Sequence, residues 1–141
     1  MHVDNASMAE LPDNVRAFLD GMHLAVIGST NSDGSPHTTA LWYELRDDAI
    51  IVNTAVKSRK VRNLRRDPRA SVCVTDLNPA RHVTLIGTVT FDEDHVLQDL
   101  VSLATRYAGP EAGPTIAQNI AKIPHVTLNL RIDRFVTFGK I

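Results

Sequence analysis

The sequence predicts a mainly β protein with helices packed on it, built as one small antiparallel barrel. Three observations predict this. Six apolar or alternating runs have strand length. Tight polar turns join most of them, which makes neighbours antiparallel. Two runs, 81–91 and 125–138, are long, and Gly87 interrupts the first at its middle, where a closing strand bends or bulges.

The elements follow in order. Residues 1–11 are small and polar and are expected to be a flexible terminus, leaving 12–141 as a single domain. Val15, Phe18 and Leu19 share one face of a short helix over 14–21, and Gly21 is expected to end it in the C′ role, where a positive φ is usual. A strand over 23–30 and another over 36–45 flank the turn Asn31-Ser32-Asp33-Gly34-Ser35. The 46–48 turn leads to a strand over 49–54, completing a three-strand meander. A helix with Ser58 as N-cap runs to Asp67-Pro68. Strands over 70–76 and 81–91 come next. Helices over 95–107 and 115–122 flank a Gly/Pro loop at 109–114, and an alternating strand over 125–138 closes the chain. Trp42 and Tyr43 are consecutive in a strand, so one faces the core and the other a cleft or an interface.

Composition narrows the function. The net charge of −1 and the 5% aromatic content argue against a nucleic-acid module, which needs a basic surface and stacking platforms. Cys73 is the single cysteine, so no intramolecular disulfide or multi-cysteine metal site is available. It lies in the apolar run 71–75 and is expected to be a buried small hydrophobe. No apolar run approaches a membrane span, and no basic-then-apolar leader opens the chain. The expectation is a cytoplasmic protein.

The chemistry concentrates at 53–68. Lys57, Arg59 and Lys60 crowd a helix N-terminus, the end where backbone N–H groups and the helix dipole already carry positive charge. Cations gathered there suit an anion such as a phosphate; a solvated basic face is the plain alternative. No Ser-His-Asp set, acid dyad or metal-spaced histidine pair stands out, so no catalytic acid or base and no metal ligand is assigned.

The order of motifs is Ser32-Asp33-Gly34-Ser35-Pro36-His37, Trp42-Tyr43, the block Lys60-Val61-Arg62-Asn63-Leu64-Arg65-Arg66-Asp67-Pro68-Arg69, and Gly87-Thr88. It resembles the pyridoxamine-5′-phosphate-oxidase-like superfamily of FMN-binding split β-barrels. Within that superfamily it is most similar to branch B of the F420-dependent (deazaflavin) oxidoreductases of actinobacteria. The resemblance implies a homodimer with the cofactor at the subunit interface, and a reductase passing hydride from reduced coenzyme F420 to a small conjugated or heterocyclic substrate. FMN-dependent chemistry on the same fold, or a non-catalytic binding protein, stays open. The resemblance places the cofactor phosphate along Asn53, Thr54 and Ala55 to Ser58, Arg59, Lys60 and Asn63. It places His37, Thr38 and Thr39 under the ring system, and Arg81 and His82 at the next edge. The cofactor's oligoglutamate tail would find cations among Arg62, Arg65, Arg66 and Arg69.

Overall fold

The computed structural model describes residues 2–4 and 10–141. The elements are β1 (His2–Asp4), α1 (Asp13–Asp20), β2 (Leu24–Thr30), β3 (Pro36–Leu41), β4 (Glu44–Arg46), β5 (Ala49–Ala55), α2 (Arg59–Arg66), β6 (Arg69–Leu77), β7 (Ala80–Asp92), α3 (Val96–Ala108), α4 (Gly113–Ile120) and β8 (His125–Phe138). The terminus expected at 1–11 lies partly outside the described residues. Within it β1 pairs with β8, and Leu11 is buried in the core. Among the described residues no helix is long and apolar enough to cross a membrane.

The strands form one antiparallel sheet in the order β3-β2-β6-β7-β8-β5-β4. Its two ends are consecutive in sequence. Only Trp42 and Tyr43 separate β3 from β4, a link that spans at most about 11 Å. The sheet must therefore curl until its edges adjoin, yet β3 and β4 do not pair. This is a split barrel. The three-strand meander expected from the sequence is corrected here, because β5 pairs with β4 and β8 and never with β3. The expected 36–45 strand also breaks in two. Tyr43 is fully buried in the main core while Trp42 packs on Leu100, Ala104 and Ala117 in a separate cluster.

Inward residues alternate as a half-buried sheet demands: Ala25 and Ile27, Val72 and Val74, Val83 and Leu85, Leu128 and Leu130. Val61 and Leu64 of α2 and Val15, Phe18 and Leu19 of α1 complete this core. Cys73 sits on the other parity. It pairs with Val26 and Thr84 on the outer face and is half-buried, so the expectation of a core cysteine is corrected. Gly87 behaves as expected. The β7–β8 register shifts between Ile86 and Gly87, and a Cβ there would lie 1.7 Å from the Arg131 carbonyl oxygen. The inward parity of β8 changes at the same place, from Leu130 and Ile132 to Phe135.

Gly21 ends α1 for a reason other than the expected one. Its φ is −69°, open to any residue, and what excludes a side chain is His23, whose Nε2 would lie 2.6 Å from a Cβ. The carbonyls that α1 leaves unpaired are met from outside. The Arg106 guanidinium donates to Leu19, Asp20 and Gly21, and the Tyr43 hydroxyl lies 2.8 Å from the Leu19 oxygen and 3.0 Å from that of Gly21. Burial pushes the Tyr43 phenol above its ordinary pKa, which keeps it a donor. Because Arg106 still serves these carbonyls, Tyr43→Phe is expected to cost only about 1 kcal/mol in denaturant unfolding. A loss several times larger would mean that Arg106 does not hold them.

α4 begins at Gly113, two residues before the expected start, with Pro114 in its first turn, where a missing N–H costs nothing. α3 packs over the outer side of β5, with α4 folded back on α3, which explains why Ile51 is buried as well as Ile50 and Val52.

A candidate cofactor cleft in the split of the barrel

The unpaired edges of the sheet leave a cleft of about 350 Å³ between β3 and β5. Ala40, Leu41 and Trp42 form one wall and Asn53, Thr54 and Ala55 the other. Leu100 and Leu103 of α3 and Ile120 of α4 roof it, with Lys60 and His125 completing the lining. One part of this lining is apolar and another cationic.

The cationic part is the start of α2. Ser58 is its N-cap, with an extended backbone and its Oγ 3.4 Å from the Val61 nitrogen. Among the described residues no acceptor takes the N–H groups of Arg59 and Lys60, and no carboxylate lies within 4.0 Å of Lys57, Arg59, Lys60 or Arg62. Lys60 is half-buried, and desolvation lowers its pKa from the ordinary lysine value. Arg59 is exposed; its charge is a minor contributor, after Ser35, to holding the Asp33 carboxyl below its usual range. Two free N–H groups and a desolvated ammonium without a carboxylate partner among the described residues are groups that can hold an anion.

The structure sorts the residues that sequence reading placed here. Asn53, Thr54, Ala55 and Lys60 come together in the cleft, with Arg59 and Ser58 beside them. The Thr54 hydroxyl is buried and sits 3.4 Å from Ser58 Oγ, so both are engaged in the cap. Asn63 is a correction. It is 2% exposed, its Nδ2 donates to Ser29 Oγ and Asn31 Oδ1, and its Oδ1 accepts from Arg66. Those bonds tie α2 to the β2–β3 hairpin and leave nothing for a ligand.

His37, Thr38 and Thr39 do not share a face. His37 and Thr39 register with the inward Ser29 and Ile27, and His37 Nδ1 and Thr39 Oγ1 are buried without partners among the described residues. Thr38 stands on the outer face beside Ser71, Arg69 and Arg134. The cleft is lined instead by the three residues that follow.

Arg81 and His82 are also displaced, because β2 and β6 stand between β3 and β7. Arg81 grips the Asp76 carboxylate at 2.9 Å and lies over the Phe18 ring, while His82 stacks on Phe138. Of the four arginines offered to an anionic tail, Arg65 pairs with Glu93, Arg69 with Asp67, and Arg66 bonds the Thr30 carbonyl and Asn63. Arg62 alone of these is left without a partner among the described residues.

Leu100, Leu103, Ile120 and His125 were not foreseen as cleft residues. The amphipathic pattern marks Leu100 and Leu103 as buried but carries no signal for what they bury against. Trp42 was the exception, since two adjacent aromatics cannot both be core. It stacks on Tyr107 with ring centroids 5.4 Å apart and walls the cleft.

Comparison with known proteins agrees with this architecture. A conserved hypothetical protein from Mycobacterium tuberculosis superposes with a TM-score of 0.78 at 30% identity, covering 95% of this chain and 88% of that one. A structure titled F420 Reductase superposes with a TM-score of 0.76 at 22% identity, covering 89% and 98%, a likeness of fold. In sequence, the chain is 32% identical over 80 residues to a pyridoxine/pyridoxamine 5′-phosphate oxidase of Acidothermus cellulolyticus, a match spanning 57% of this chain but only 36% of the oxidase. It is 26% identical over 106 residues to an F420H(2)-dependent biliverdin reductase of Mycobacterium tuberculosis, covering 74% of this chain and 77% of that protein. The family model described as pyridoxamine 5′-phosphate oxidase matches residues 11–138, so nearly the whole split barrel is accounted for, and the chain belongs to that family.

Proposed function

We propose that this chain is an F420-dependent oxidoreductase of the split-barrel family, acting on a small conjugated or heterocyclic substrate. The observation that carries the reading is the unpaired, half-buried Lys60 at the start of α2, opening onto an apolar cleft. The residues present fit a phosphorylated cofactor. Lys60, Arg59 and the free N–H groups of α2 would hold its phosphate, and the orphaned Asn53 Oδ1 would accept from an N–H or O–H elsewhere on the cofactor. When bound, reduced coenzyme F420 supplies the hydride; the protein's share is to bind, orient and exclude water. Trp42, Leu100 and Leu103 do the last of these from the cleft walls.

FMN is the second reading, favoured by the 32% identity to a pyridoxine/pyridoxamine 5′-phosphate oxidase. Lys57 and Arg62, unpaired beside the phosphate site, weigh toward the longer and more anionic deazaflavin tail. The proposal includes a homodimer with the cofactor at its interface. The outer sheet face carries exposed Leu24 and Phe138, and Arg81 and His82 would reach a cofactor only from a second copy. The test is a side-by-side titration of purified protein with F420 and FMN. Saturable binding of F420, with FMN weaker, is the expected result; binding of FMN alone moves the assignment to the second reading, and binding of neither ends both.

The binding should also depend on pH in a definite sense. Desolvation depresses the Lys60 pKa in the free protein, and a bound phosphate raises it. Affinity is then level below the depressed value and falls as pH rises through it. Lys60→Ala should lose that alkaline limb; a limb that persists would belong to another group.

A further inference from the structure

The hydrogen bonds behind Asn53 determine which end of its amide can meet a ligand. Asn53 Nδ2 lies 3.3 Å from the Val96 carbonyl and 3.2 Å from Thr127 Oγ1. A carbonyl oxygen only accepts, so the amide nitrogen must face it. Thr127 has one hydroxyl hydrogen, and that hydrogen goes to Asp99 Oδ2 at 2.8 Å. Thr127 Oγ1 is therefore also an acceptor toward Asn53. Asp99, 3% exposed, stays in place because Arg46 donates to its Oδ1 at 2.8 Å. Every link has one allowed polarity. A flipped amide would set its oxygen against the Val96 oxygen and leave its nitrogen unpaired. What remains is Asn53 Oδ1, buried, without a partner among the described residues, on a residue that lines the cleft.

We infer that Asn53 gives the cleft a hydrogen-bond acceptor of fixed orientation, with Thr127 and Asp99 as its positioning residues. The inference rests on the cofactor reading above and sharpens it. A phosphate offers only acceptors at neutral pH and cannot satisfy this oxygen. Lys60 takes the anion, and Asn53 takes an N–H or O–H on the same ligand, either an imide of the ring system or a hydroxyl of the chain between ring and phosphate. Such a pair favours molecules that carry a donor near the phosphate and holds inorganic anions more weakly, through Lys60 alone.

The experiment measures F420 and FMN affinity in the wild type, Thr127→Val and Thr127→Ser, with inorganic pyrophosphate as a competitor. Thr127→Val keeps the shape but removes one of the two acceptors that hold the amide, leaving only the Val96 carbonyl. It should weaken cofactor binding about five- to tenfold, the share of one neutral hydrogen bond. Pyrophosphate should compete as well as before, and Thr127→Ser should restore the cofactor. Wild-type affinity in Thr127→Val overturns the inference, as does a parallel loss of pyrophosphate, which signals general damage. If Thr127→Val does not fold, Asn53→Leu serves in its place. It removes the acceptor at similar size without adding charge, and wild-type affinity there overturns the inference equally. Ribitol phosphate as a probe locates the donor: sensitivity to Thr127→Val assigns a chain hydroxyl, insensitivity a ring N–H. Failure of the wild type to bind either cofactor would instead remove the functional reading on which this one stands.

Discussion

Replacing Lys60 by Ala is expected to weaken F420 binding by about 10- to 150-fold, the equivalent of one charge-assisted contact of roughly 1.5–3 kcal/mol. The ammonium is half-buried, so solvent screens it less than its exposed neighbours Lys57 and Arg59. Among the described residues it has no carboxylate partner that a ligand must first displace. The same features predict the behaviour of the free protein. Desolvation of an unpaired cation opposes folding, so Lys60→Met, which keeps the apolar stem, should unfold at no lower a denaturant concentration than the wild type. Affinity lost without stability lost is the mark of a binding residue. Fluorescence titration with the deazaflavin and denaturant unfolding of the same preparation check both halves. If affinity is unchanged, the start of α2 is not the anion site; if both fall together, Lys60 is a structural residue.

Gly87→Ala is expected to destabilise the fold by about 3 kcal/mol or more. The added methyl would sit 1.7 Å from the Arg131 carbonyl oxygen and 2.9 Å from its carbon. Those are backbone atoms in the central β7–β8 ladder, so no rotamer change can make room. Relief would require β8 to move away from β7 at the register shift. That movement would carry Ile132 and Phe135 out of the core together. A variant whose midpoint matches the wild type would show that the two backbones approach less closely than described.

Much of this was legible in the sequence, and the parts that were not share a cause. Alternation located the strands, Gly87 marked the bulge, and Ser58 marked the start of α2, because each is a local rule read over a few residues. Sheet order is not local. Nothing near Trp42 says that the chain crosses there from one edge of the sheet to the other, so a meander was the natural reading. Arg81 and His82 stand away from this chain's own cleft for the same reason, since the intervening strands set that distance. Asn63 illustrates a different limit. A polar residue on a basic helix reads equally well as a ligand or as a tie, and only its partners Ser29 and Asn31 decide. The cluster at Lys60 was visible because its charge is wrong for a helix start, and a local electrostatic conflict needs no tertiary information to be seen.

The unpaired edge of β3 has a consequence for the resting protein. Along that strand, amides alternate between those bonded to β2 and those turned toward the split. The second set has no main-chain acceptor and should exchange with deuterium far sooner than its neighbours. A molecule lodged in the gap plays the part of a missing strand. It also shields an edge that would otherwise invite association with another chain, so long-term solubility of purified material should improve when the cleft is filled.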